Sequence, residues 1–222
     1  MKSEDSRNPK LFFPWILIGF DSLLIQIILL REAISIFYGN EISLGLVFCS
    51  WMLWIGLGSV SGSLILRKDE YNIRVIGIYF FILGIILPLT FIFFRLLRVF
   101  LGYTPGELLG IGDILIFSFI VPSILCTLLG FGFTLCCKVN EDEQGIRISN
   151  RTMNVYIFEA FGAAAAGILF HFVLAGRVDD FSIVLLLGIV NISMFYPYRF
   201  SLKRGLILST ISLVFLYFIL SF

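Results

Sequence analysis

Charged residues are scarce in this sequence: Asp, Glu, Lys and Arg make up 14% of its 222 residues, while 59% are hydrophobic. Soluble domains carry about 25% charged residues, so this chain has too few polar side chains to cover a water-soluble globule. The net charge of +1 excludes the strongly basic field of many nucleic-acid-binding proteins. The composition therefore predicts an integral membrane protein whose surroundings are a lipid bilayer.

Cysteine and histidine are also rare, with four Cys and one His. The cysteines show no C-x-x-C spacing and no Cys/His ligand pattern, so we expect no zinc or iron–sulfur site. The single histidine, His171, allows at most one His-ligated haem. No P-loop, Ser–His–Asp or H-E-x-x-H pattern occurs. We therefore expect no metal, no cofactor and no catalytic residue in this chain.

Long apolar runs dominate what is present. Seven of them are long enough, or nearly so, to cross a bilayer as helices, and we place them near 11–31, 42–66, 74–94, 112–137, 154–175, 181–197 and 205–221. The expected fold is all-α: one transmembrane domain, residues 1–222, built as a bundle of about seven helices. Pro88 and Pro122 fall inside the third and fourth runs, where proline kinks a membrane helix and frees a backbone carbonyl.

Lys and Arg residues are abundant in every second loop of the predicted bundle and rare in the loops between. Twelve of the sixteen fall on one side of the predicted bundle: Lys2, Arg7, Lys10, Arg67, Lys68, Arg74, Lys138, Arg147, Arg151, Arg199, Lys203 and Arg204. Because loops rich in Lys and Arg stay in the cytoplasm, this pattern predicts a cytoplasmic N-terminus and an outside C-terminus. The expected location is the inner or cell membrane of a bacterium or archaeon.

Ionisable side chains inside membrane spans are costly and often functional. Asp21 lies near the middle of the first span, and Glu159 lies about two turns into the fifth. Asp21 and Glu32 are eleven residues apart, which returns to within about 20° around a helix, so they can mark one polar seam. Two interpretations stay open: a polar cavity that binds a cation or relays protons, and a set of interhelical hydrogen bonds with Arg31 reaching the interface.

Small residues cluster in the second and fifth spans. The clusters contain the helix-packing candidates Gly56, Gly58, Gly62, Gly162 and Gly167. Small faces let helix backbones approach closely in lipid, so we expect these two helices to pack closely with each other or with a neighbour. A substrate path lined by small residues is the alternative.

The segment SLLIQIILLREAISIFYGNEISLGLVFCSWMLWIGLGSVSG spans residues 22–62. Its polar and small residues fall in a distinctive order: Gln26, Arg31–Glu32, Gly39–Asn40–Glu41, Trp51 and Gly56–Gly58–Ser59. This order resembles the first helical hairpin of the membrane domain found in membrane-bound spermidine synthase-like proteins. Two shorter stretches, 104–107 and 155–162, resemble that family's loop before the fourth span and the start of its fifth helix.

Members of that family typically join the helical domain to a soluble aminopropyltransferase-like domain. This sequence contains no such domain, so the transfer chemistry carries over to none of its residues, and we expect no enzyme activity from this chain. Three alternatives stay open: the enzyme is a separate chain, the membrane domain acts alone, or the sequence is part of a longer protein.

The leading hypothesis is a non-catalytic membrane protein that binds or transports a small cationic solute such as a polyamine, as the resemblance implies. The alternative is a scaffold or assembly subunit of a larger membrane complex, partnering a separate aminopropyltransferase-like or redox chain. The polar and ion-pair candidates for either role are Asp21, Gln26, Arg31, Glu32, Asn40, Glu41 and Glu159. We further predict that Arg31 pairs with Glu32 or Glu41, or with Glu159 if the fifth helix packs there.

Overall fold

The fold is a helical bundle, seen in a computed structural model that describes residues 9–38, 41–66, 74–100, 102–103, 110–139 and 148–195. These residues form no β-strand. Their seven α-helices are α1 Pro9–Ile36, α2 Glu41–Ile65, α3 Arg74–Phe100, α4 Ile111–Ile120, α5 Ser123–Lys138, α6 Ile148–Leu169 and α7 Asp180–Ser193. The chain continues from α6 as a π-helical turn, Phe170–Leu174.

Five segments are long and apolar enough to cross a membrane: Phe12–Ile36, Glu41–Ile65, Arg74–Leu96, Gly112–Lys138 and Thr152–Leu174. A shorter apolar helix, Asp180–Ser193, makes a sixth. The predicted all-α membrane bundle is therefore confirmed, with six apolar helical segments in the described part of the chain rather than seven. The predicted seventh span, 205–221, lies outside the described residues, as do Asn40 and the stretch 104–107.

The helices associate mainly as three pairs, α1 with α6, α2 with α5, and α3 with α7. In each pair, one glycine from each helix lies at the closest approach of the two backbones. Every one of these six glycines sits against a backbone carbonyl oxygen of the partner helix, and the three reciprocal pairs are Gly19 and Gly162, Gly58 and Gly130, and Gly84 and Gly188. Lipid supplies no hydrophobic force between helices, so close packing and Cα–H···O contacts must hold them together. Glycine allows both because it has no Cβ.

The order of contacts along each pair gives the relative direction of its helices. In the first pair Phe12 meets Phe158 and Gly167 meets Leu23, so α1 and α6 are parallel. In the second pair Trp54 meets Phe119 near the start, and Leu66 meets Lys138 at the end. The α2 and α5 helices are therefore also parallel. In the third pair Phe81 meets Phe195 and Arg95 meets Phe181, so these helices are antiparallel. These directions agree with an up-and-down order of the six apolar segments.

Proline acts differently in the two spans where the sequence places it. Pro122 breaks the fourth span into α4 and α5. Near this break the Phe119 carbonyl accepts a hydrogen bond from Trp54 Nε1 of α2 at 2.9 Å, and the Ile120 carbonyl accepts one from the Ser123 hydroxyl at 2.6 Å. Pro88 leaves α3 continuous. It removes the N–H that would bond the Gly84 carbonyl, and that carbonyl lies against Gly188.

The predicted packing glycines divide into two groups. Gly58 and Gly62 lie against Thr127 and Thr134 of α5, while Gly162 and Gly167 lie against α1. The second and fifth spans therefore each pack on a neighbour rather than mainly on each other. Gly56 departs from the prediction: it is exposed, and a Cβ built on it meets nothing within 4 Å. Gly56 and Gly58 are two positions apart, which turns Gly56 by about 200° to the other side of α2.

This difference gives a matched test on one helix. Substituting Gly58→Ala places a Cβ in overlap with the Thr127 carbonyl, so α2 and α5 must separate, and we expect a loss of about 1–3 kcal/mol in the free energy of unfolding. Substituting Gly56→Ala adds a Cβ in open space and should not destabilise the protein. Thermal melting in mild detergent measures both, and equal melting temperatures for the two variants would contradict the glycine-contact account.

Candidate functional site

Asp21 is an acidic residue with no solvent contact. It lies in α1, two residues after Gly19 at the crossing with α6, and its exposed fraction is 0%. Neither carboxylate oxygen accepts a hydrogen bond from any residue in the described parts of the chain. Burying an ionised carboxylate in a low-dielectric interior is expensive, so this position favours the neutral acid or a cation beside the carboxylate.

Asn191 and Tyr79 bring two more polar side chains to Asp21. Asn191 of α7 is fully buried and faces the Asp21 carboxyl. It does so without a hydrogen bond of normal geometry, because its amide nitrogen donates to the Leu187 carbonyl at 2.9 Å and its Oδ1 is unpartnered. Tyr79 of α3 lies within electrostatic range of Asp21, and its buried hydroxyl has no partner among the described residues. Gly132 of α5 sits directly against that ring.

Glu159 supplies a second carboxylate near Tyr79. It is half-buried in α6, its backbone lies against Gly19, and its side chain is within electrostatic range of the Tyr79 hydroxyl. The two ion pairs found among the described residues involve neither Asp21 nor Glu159. We call Asp21, Tyr79, Glu159 and Asn191 the Asp21 site. It lies where the three helix pairs meet.

The chemistry of the Asp21 site favours cations. Its free atoms are the two Asp21 oxygens, the Asn191 amide oxygen and the Tyr79 hydroxyl, and three of these four are acceptors only. No group of three or more His, Cys, Asp or Glu side chains able to hold a metal ion occurs in the part of the chain that the structure describes. The free acceptor atoms of the site suit a proton or a cation that donates hydrogen bonds, such as an ammonium group.

A second polar cluster lies at one end of α1, α3 and α7. Arg31 Nε of α1 lies 2.9 Å and 3.0 Å from the two carboxylate oxygens of Asp180 in α7. Glu32, the next residue, is 4% exposed and accepts a hydrogen bond at 2.7 Å from Arg95 Nε of α3. The Arg95 guanidinium lies over the Phe181 ring, 5.2 Å from its centroid. We call these five residues the clasp.

Neighbouring residues support the clasp from two sides. The Arg31 guanidinium lies 5.4 Å from the centroid of Phe170, the first residue of the π-helical turn. Asp179 caps α7 by accepting hydrogen bonds from the Ser182 backbone nitrogen and hydroxyl. These bonds, with a smaller contribution from the positive charge of Arg95, hold the pKa of Asp179 below its usual range. Asp179 therefore stays an anion beside Arg95.

The partners of the predicted polar residues differ from those that the sequence suggests. Arg31 pairs with Asp180, and Glu32 pairs with Arg95, because α7 and α3 lie beside α1 at this end. Glu41 is exposed at the first residue of α2. Gln26 is half-buried on α1, five residues or about 140° away from Asp21, and it lies outside the Asp21 site.

Sequence reasoning missed four contributors, namely Tyr79, Arg95, Asp180 and Asn191. Asn191 carried a readable signal, since an amide inside an apolar run is costly for the same reason as a carboxylate. Asp180 and Arg95 sit where spans meet loops, and charges are ordinary there. Their roles follow only from which helices are neighbours. His171 is exposed on the π-helical turn, edge-on to Phe172, and takes no part in the Asp21 site.

Comparison with known protein families, with curated proteins and with solved structures finds no match to this chain. The fold and the arrangement of the Asp21 site therefore carry the functional argument.

The clasp gives a stability test with an internal control. Replacing Glu32→Gln removes the anion that Arg95 binds, and we expect a loss of about 1–2 kcal/mol, because charged hydrogen bonds contribute about 1.5–3 kcal/mol and Arg95 is partly solvated. Glu41→Gln removes an exposed charge on the same end and should change stability by less than about 0.5 kcal/mol. Thermal melting of the two variants compares them, and equal losses would argue against a role for the Glu32–Arg95 pair.

Proposed function

We propose that this chain is a non-catalytic membrane protein that binds and moves a small cationic solute, such as a polyamine, through the Asp21 site. The observation that carries the proposal is the fully buried Asp21 carboxyl group, which forms no ion pair with any described Lys, Arg or His. Ionisable groups at such depth usually mark an ion or substrate pathway.

Charge balance supports a cation over an anion or a neutral solute. Asp21 and Glu159 both lie near Tyr79, and no described Lys, Arg or His forms an ion pair with either acid. A solute with one or more ammonium groups supplies both the missing charge and N–H donors for the free acceptor atoms. An anion would meet two carboxylates, with only the Tyr79 hydroxyl free to donate a hydrogen bond to it.

A polyamine is the preferred solute for two reasons. The hairpin at 22–62 resembles the membrane domain of spermidine synthase-like proteins, whose chemistry concerns polyamines. A polyamine also carries more than one ammonium group, which matches the two acids of the Asp21 site. The aliphatic carbons between its ammonium groups suit the apolar helices around the site.

The proposed orientation places the clasp outside and the Lys138 end of the bundle in the cytoplasm. The excess of Lys and Arg at the latter end favours this arrangement. Lys138 there donates a hydrogen bond to the Leu66 carbonyl at the end of α2, so part of this positive charge also caps a helix.

Uptake of labelled spermidine or putrescine into proteoliposomes tests the function. Asp21→Asn keeps the shape and removes the charge, and we expect uptake to fall by about tenfold or more, since a charge-assisted hydrogen bond contributes about 1.5–3 kcal/mol. Asp113→Asn is the control, because Asp113 lies in the first turn of α4 and accepts a hydrogen bond from Tyr103. Normal uptake by the Asp21 variant, or no uptake and no binding by the intact wild-type protein, would refute the proposal.

The alternative function is a scaffold or assembly subunit that partners a separate transferase or redox chain. One observation favours it: Ala160 and Ala164 form an exposed pair of small residues four positions apart on α6, a spacing suited to helix association in lipid. Purification in mild detergent separates the two functions. A stoichiometric partner chain supports the scaffold, and a lone protein that takes up spermidine supports the carrier.

A further inference from the structure

We propose that the clasp is a gate that closes the route from its end of the bundle to Asp21. The inference rests on the proposed cation-binding function, since a gate matters only if the Asp21 site has an occupant. It assigns a role to Arg31, Glu32 and Arg95 that is separate from the cation site itself.

The contacts of the clasp form a closed ring over three helices. Arg31 of α1 pairs with Asp180 of α7. The neighbouring Phe181 of α7 packs under Arg95 of α3. Arg95 in turn donates a hydrogen bond to Glu32 of α1. Two neighbouring residues of α1 thus bind two different helices. Any separation of α1, α3 and α7 at this end must break at least two of these contacts.

The clasp lies above the Asp21 site along the same three helices. Asp21 and Glu32 are eleven residues apart on α1, and Asp180 and Asn191 are eleven residues apart on the antiparallel α7. Eleven residues of helix rise about 16 Å and return to within about 20°. The clasp and the Asp21 site therefore lie about 16 Å apart on the same faces of α1 and α7. We call the interface of α1, α3 and α7 between them the seam.

The seam between the clasp and the Asp21 site is apolar and closed. Its side chains have no or almost no solvent exposure and come from all three helices: Ile25 and Ile28 of α1, Leu83, Leu87 and Phe91 of α3, and Val184 and Leu187 of α7. A charged solute cannot pass them without the helices moving apart. The structure thus shows the route in its closed form.

The helix pairing indicates which parts move. Glycine contacts hold α1 to α6 and α3 to α7 as two closely packed units. The contacts of α1 with α3 and α7 are fewer, and the clasp supplies their charged part. The α3–α7 unit can therefore tilt away from the α1–α6 unit while both glycine pairs stay intact. Each of the two ion pairs has one partly exposed partner, so solvent screens part of its attraction, and the clasp can open reversibly.

Cysteine accessibility tests the gate without any solute. Val184→Cys is a conservative change within the seam, four residues from Asp180, and is made after replacing the native cysteines by Ala: Cys49, Cys126, Cys136 and Cys137. A membrane-impermeant methanethiosulfonate is added to proteoliposomes sorted for the clasp facing out. We expect slow labelling with the clasp intact, and labelling at least tenfold faster when Arg31→Asp or Arg95→Ala is added.

Two further variants separate gating from general loosening. The exchange Arg31→Asp with Asp180→Arg restores an ion pair of reversed sign and should return labelling to the slow rate. Arg177→Ala removes hydrogen bonds to the Phe172 and Val173 carbonyls at the same end without touching the clasp, and it should leave labelling slow.

The gate is overturned if Arg31→Asp and Arg95→Ala leave the labelling rate unchanged, or if the charge exchange labels as fast as the single variant. Fast labelling of Arg177→Ala would also overturn it, because the effect would then belong to the whole end of the bundle. Loss of uptake in Asp21→Asn with unchanged labelling in clasp variants would leave the function standing and reject the gate alone. Gated labelling without spermidine uptake would support the gate and reject the proposed solute.

Discussion

Close backbone approach at the three reciprocal glycine pairs is the constraint on which the rest of the structure depends. A lipid environment gives apolar side chains no reason to prefer one another, so helices associate where their surfaces fit most closely. Gly19 with Gly162, Gly58 with Gly130 and Gly84 with Gly188 place each helix against a carbonyl of its partner. These contacts fix three helix pairs, and the space where the pairs meet follows from them.

That meeting place explains how an unfavourable group is held at the centre of the bundle. Asp21 follows Gly19 by two residues, and Glu159 lies against Gly19 itself, so the contact between α1 and α6 also sets the position of both acids. The pair α3–α7 brings Tyr79 and Asn191 to the same place. The cost of burying this carboxyl group is offset by the packing around it and, in the proposed function, by a bound cation. Binding of that cation and stability of the fold are linked in this way.

The sequence predicts the class of fold because twenty-residue apolar runs have few alternatives in a membrane. It also predicts Asp21 and Glu159 as unusual residues, since a charge at that depth is costly wherever the helix packs. It does not predict the partners. Arg31 has acidic residues near it in the chain, yet Asp180 binds it because α7 lies beside α1 in space. Helix neighbours depend on glycine positions in several helices at once, and the π-helical turn and the exposed Gly56 likewise have no signal in local sequence.

Equilibrium binding of spermidine to the purified protein in detergent, measured by calorimetry, tests the central claim most directly. The account predicts saturable binding by the wild-type chain, and binding at least tenfold weaker by an Asp21→Asn variant that melts at or above the wild-type temperature. Equal affinity in the two proteins would contradict it, because the buried carboxylate would then contribute nothing to recognition of the cation.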